Sequence, residues 1–229
     1  MKKIIEHLKN ETTIFEKYAY PITLFFVLNS IFLAWINLKY FEAHMVERSG
    51  LLKQFQPMAM LAIILLSSYR AFAFRKIKGW RFLAGSIFFC ILFTFSLGET
   101  MTWGQRIFEY PTPSFFLQYN TQGMPTIHNL AFGSFRVNKV VFGLLLGIIV
   151  GLYSIFGTLL YKPETKIGKF LDAWGIPIAR WYHVVTLIIA FALSKMVLSG
   201  KKGEVIQFAG MMIFLFIFIN PINKKNFQK

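Results

Sequence analysis

Long apolar runs alternate along the chain with short, mostly basic connections. The runs cover about residues 18–38, 57–74, 82–101, 140–161, 180–198 and 205–219. A helix needs about 20 apolar residues to cross a hydrocarbon core of about 30 Å. Lipid cannot hydrogen-bond the backbone, so runs of this kind must form helices. The pattern predicts an all-α protein, a polytopic transmembrane helix bundle of about six spans. Residues 1–17 read as an interfacial helix or solvated tail, with Ile4, Ile5 and Leu8 at helical spacing. Residues 18–220 read as one six-span domain, and 221–229 as a basic tail. Glu6, Glu11 and Glu16 interrupt what would be the basic start of a signal peptide, so a retained N-terminus is expected.

Composition agrees. Of 229 residues, 55% are hydrophobic and only 15% charged, with a mean hydropathy of +0.52; soluble domains carry about 25% charge. The net charge of +15 would suggest nucleic acid in a soluble protein. Here the basic residues cluster at the ends of apolar runs, where they orient spans and meet anionic headgroups. No aromatic–basic platform lies outside the runs, so no nucleic-acid partner is expected. Six spans put both termini on one side. Sixteen of the 25 basic residues fall on that side and nine opposite, which predicts cytoplasmic termini in a cell inner (plasma) membrane. Cys90 is the only cysteine, which excludes an internal disulfide and a cysteine metal cluster.

The fourth run carries Gly143, Gly147 and Gly151. Small residues at this spacing let helices approach closely, either inside the bundle or across a homodimer or other membrane-partner seam.

The longest connection, residues 98–129, joins the third and fourth runs and is predicted to face outward as an interfacial loop with a short helix. It collects Glu99, Gln105, Arg106, Asn120, Gln122, His128 and Asn129. If the third helix continued, Glu99, Trp103 and Arg106 would share one stripe, with Arg106 a partner for the carboxylate. Pro111 and Pro113 stop any helix. Thr112 and Pro113 then read as an N-cap and first helical residue for a short helix over 114–119. Asn129 reads as a cap before the fourth span.

Acid, imidazole, amide and guanidinium at one membrane face suggest a site. Glu99 and His128 are the candidate catalytic acid/base groups. Gln105, Arg106, Asn129, Trp103 and Glu204 are candidate substrate-binding residues. Glu42, His44, Lys195 and Gln207 fall on the same predicted side. His44, Glu99, His128 and Glu204 carry donor types that suit a divalent metal, but no H-E-x-x-H spacing supports such a site. The sequence therefore points to no metal ligands and to no particular cofactor. The competing reading is an interfacial loop anchored by aromatics, with Glu99 and Arg106 as a structural ion pair.

At Glu99, Trp103, Gly104, Gln105, Arg106, Ile107, Phe108, Thr112, Pro113, Asn120, Gln122, Gly123, His128 and Asn129, the chain resembles a family of uncharacterised bacterial polytopic membrane proteins. The family pattern is E-E-[IL]-S-W-G-Q-R-[IL]-F, a threonine–proline pair, then N-x-Q-G-E-x-N-[LI]-H-N. The chain departs from it at Thr100 and Met124, where the family has acids. The resemblance marks a location and implies no activity.

These features favour a membrane-embedded enzyme acting on a lipid or lipid-linked substrate at the outer leaflet. A non-catalytic membrane subunit or assembly factor is the alternative. A small-solute transporter is disfavoured because the runs hold few mid-membrane polar residues beyond Asn29.

Overall fold

A computed structural model describes residues 10–47 and 50–228; the side chains at 106, 139, 143 and 144 lie outside the description. The described chain is predominantly helical. Its long helices are α1 (Ile14–Ile36), α2 (Leu51–Phe74) and α3 (Trp80–Thr100). A short α4 (Ser114–Tyr119) follows, and then α5 (Leu146–Leu160), entered through a π-helical stretch at Asn138–Leu145. Next come α6 (Lys166–Ala173), α7 (Trp181–Ser194) and α8 (Lys202–Ile219). Strand is confined to β1 (Ala131–Phe132) and β2 (Phe135–Arg136), a two-stranded hairpin. Among the described residues, five helices are long and apolar enough to cross a membrane.

The chain forms two compact units, Met1–Ala59 with Pro177–Gln228, and Met60–Ile176. The boundary falls inside α2.

In the first unit, α1, α7 and α8 pack around Val27, Ala34, Ala190, Phe208, Ile213 and Ile217. The predicted fifth run is only 14 residues of regular helix, about 21 Å long at about 1.5 Å per residue. It still matches the depth of α1. At one end the Tyr182 hydroxyl donates to Glu16 (3.0 Å), and beyond the other the Trp35 indole donates to the Met196 carbonyl (2.8 Å). α8 returns antiparallel, placing Asn220 against Glu16 (2.8 Å).

In the second unit, α2 and α3 form an antiparallel hairpin, pinned by the Phe74–Phe82 ring contact and a Ser68–Cys90 contact of 3.2 Å. Gly85 admits the segment after α6: a Cβ there would lie 1.8 Å from the Trp174 carbonyl oxygen. Arg70, near the end of α2, is buried, 6% exposed, beside Tyr153. Among the described residues, a Cβ at Gly147 or Gly151 of the glycine ladder would find no atom within 4 Å.

Candidate functional site

The site loop begins where α3 stops at Thr100. Thr102, Trp103 and Gly104 have φ of 52°, 52° and 80°. Left-handed backbone is at ease only for glycine and costs other residues about 1–2 kcal/mol each. The expected continuous stripe through Glu99, Trp103 and Arg106 is therefore absent, because the chain reverses between the first two. The reversal folds the indole back against α3. A Cβ at Gly98 would lie 2.7 Å from that ring, so only glycine admits it. The Tyr110 hydroxyl lies 3.3 Å from the carbonyls of both Thr102 and Trp103 and braces the turn.

Trp103 and His128 take the carboxylate of Glu99. The Trp103 indole N–H donates to Oε1 (2.8 Å). The backbone N–H of His128 donates to Oε2 (2.8 Å), and His128 Nδ1 lies 2.9 Å from the same oxygen. The indole and the amide can only donate, so both carboxylate oxygens act as acceptors, and Nδ1 completes the set as N–H. That assignment leaves the lone pair of the imidazole on Nε2, which has no hydrogen-bond partner among the described residues. Glu99 is 5% exposed, whereas the His128 side chain is 31% exposed. A buried carboxylate thus orients a half-open imidazole, with the Phe142 ring edge-on to it at 6.1 Å.

A polar core inside the loop holds His128 in place. Asn120 donates to the Thr126 carbonyl (2.7 Å) and accepts from the Gln122 amide (2.8 Å). Asn129, 5% exposed, turns to the Thr126 hydroxyl (3.3 Å). Gln105 donates to the Tyr110 carbonyl (3.1 Å) and the Thr112 hydroxyl (2.7 Å); Thr112 donates on to the Gly123 carbonyl (2.9 Å). Gln105 and Asn129 therefore brace the loop. Thr112 is drawn into this network, so Pro113 caps the short helix. Asn129 caps no helix: the β1–β2 hairpin intervenes, turning at Gly133. The side chain of Arg106 lies outside the described residues.

Glu204 belongs to the first unit, where it pairs with Lys53. The other groups weighed beside it have partners there too. Glu42 accepts from the Ser199 hydroxyl (2.6 Å), His44 stacks on Tyr40 at 4.1 Å, and the Lys195 ammonium lies over the Phe191 ring at 4.5 Å. Lys201 donates to Glu47 (3.2 Å), and that hydrogen bond raises its ammonium above the ordinary value. Among the described residues, no three His, Cys, Asp or Glu side chains are placed to share a metal ion.

The sequence reading missed a second polar cluster, in the first unit. Glu16 and His183 are both 0% exposed. Glu16 accepts from His183 Nε2 (2.9 Å), the Tyr182 hydroxyl (3.0 Å), Asn220 (2.8 Å) and both the amide and hydroxyl of Thr13 (2.8 Å each). The Arg180 amide donates to His183 Nδ1 (3.1 Å), which fixes Nε2 as the protonated nitrogen. A signal was present in the chain: Thr13-x-x-Glu16 before an apolar run is a capping box, and both of its hydrogen bonds form.

Compared with protein-family models, curated proteins and solved structures, the chain finds no match, so its function rests on the site alone.

Proposed function

We propose that the protein is a membrane-embedded enzyme in which His128 is the general base or acid and Glu99 is its positioning residue. The Glu99–His128 geometry carries this reading. A buried carboxylate that holds Nδ1–H leaves Nε2 free to take a proton from an attacking hydroxyl or water, and then to return it to a leaving group.

The segment that carries His128 suggests the substrate class. Ile107, Phe108, Phe115, Leu117, Ile127 and Phe132, between α3 and the β1–β2 hairpin or within that hairpin, are all exposed. Such an apolar surface favours hydrocarbon or headgroup contact over water. A substrate reaching Nε2 is therefore a lipid or lipid-linked molecule, with Trp103 at headgroup level. For six crossings, the basic-residue bias supports cytoplasmic termini in the inner (plasma) membrane and an outward-facing loop. The matched depths of α1 and α7 support counting α7 as a crossing.

Lipid profiles of membranes carrying the wild type, His128→Ala or Glu99→Gln provide the test. A lipid species consumed or produced only by the wild type is expected. Identical profiles for all three proteins would remove the enzymatic reading.

The open ladder favours a second reading, in which Gly147 and Gly151 seat a helix of another copy or of a partner. Gly147→Leu would then abolish a cross-linked oligomer, while a monomer unaffected by the change would count against it.

A further inference from the structure

The α2–α3 hairpin combines two features that the proposed chemistry does not use. Its turn presents Arg75, Lys76, Lys78 and Arg81, yet the sequence holds no acidic residue between Glu47 and Glu99. Arg75, Lys76 and Arg81 are exposed. Beneath them, between the two helices, runs a groove of about 390 Å³ lined by Ser68, Ala71, Phe72, Arg75, Ile87 and Cys90. The lining is apolar except at the Arg75 end and at the Ser68–Cys90 contact. The Arg75 guanidinium lies over the Phe72 ring, 4.0 Å from its centre, and so is held beside the groove.

Exposed Trp80 marks the same level, packing edge-to-face on Trp174 at 5.6 Å. Indole rings settle at the membrane–water boundary. The cations therefore sit at headgroup depth and the groove at acyl depth.

We propose that this hairpin is a binding site for an anionic glycerophospholipid, whose phosphate meets Arg75 and the neighbouring turn cations while one acyl chain lies along the α2–α3 groove. Charge complementarity selects the headgroup. Each cation near the surface contributes about 1 kcal/mol towards an anionic lipid, and the sequence between Glu47 and Glu99 holds no acid to offset the charge of Arg75, Lys76 and Arg81. The apolar groove selects a lipid over a free anion. A guanidinium also suits a phosphate, because its N–H groups match the oxygens in pairs.

Native mass spectrometry of the purified full chain, released from detergent with equimolar phosphatidylglycerol and phosphatidylcholine, tests the proposal. The wild type should retain phosphatidylglycerol preferentially. Arg75→Glu should weaken that retention by about tenfold or more. Ala71→Trp, which fills the groove without changing charge, should weaken it as well; Ile91, which also lines the groove, gives Ile91→Trp as the substitute if that variant does not fold. Lys166→Glu, an exposed charge on α6, should leave retention unchanged. Retention that is unaltered in both Arg75→Glu and the groove variant overturns the site. So does an equal loss in Lys166→Glu, or displacement of the lipid by inorganic phosphate.

Discussion

His128 Nδ1 and its own backbone N–H converge on one oxygen of Glu99, at 2.9 and 2.8 Å. Two contacts from one residue fix both the position and the ring orientation of the imidazole. The carboxylate lies at the end of a transmembrane helix and the imidazole 29 residues on. Their meeting depends on the left-handed turn at 102–104 and on the loop core around Thr126.

Removing the imidazole and removing its support should differ. His128→Ala should lower turnover by about 10²–10⁴-fold, the usual contribution of a general acid or base, while the protein stays folded on the Trp103 and backbone donors that Glu99 keeps. Glu99→Gln places an amide N–H against groups that donate. It should lower turnover too, and shift the pH profile of the residual activity. An unshifted profile would show that Glu99 does not act through His128.

Asn120 ties three backbone positions of the loop, at Gln122, Met124 and Thr126. Asn120→Ala leaves buried groups unsatisfied, at about 1–3 kcal/mol. The loss is local, so limited proteolysis between 121 and 128 should speed up while the melting temperature of the spans changes little. Equal loss of both would mean that the loop and the spans melt together.

The Glu16 cluster should be a stability determinant. Glu16→Ala strands donors from Thr13, Tyr182, His183 and Asn220 around a buried position. Removing one member of a buried charged network costs about 3–5 kcal/mol. Tyr182→Phe removes one donor and should cost about 1 kcal/mol. Denaturation in detergent measures both, and a Glu16→Ala protein as stable as the wild type would contradict the network's weight.

Gly85→Ala should loosen the segment after α6. The added methyl would overlap the Trp174 carbonyl oxygen, 1.8 Å away, and backbone cannot yield as a side-chain tip does. Overpacking of this kind costs about 1–3 kcal/mol. Tryptophan emission should report the change, through the altered Trp80–Trp174 contact.

Much of the fold was legible in the chain. Apolar runs of bilayer length give helices because lipid satisfies no backbone group, and Pro111 and Pro113 mark the loop's break with the short helix after them. Local chemistry could not supply the partners. Arg106 looked like the mate of Glu99 only if the helix continued, and left-handed backbone at Thr102 and Trp103 is not written in those residue types. Asn129 was read as a cap and is a buried brace. Glu16, in the segment read as a tail, and His183, in the fifth run, meet across 167 residues. The length of the apolar runs thus determined which segments form long apolar helices. Tertiary structure decided which polar groups face each other, because a buried donor or acceptor takes whatever partner packing brings within about 3 Å, and that choice is made between segments far apart in sequence.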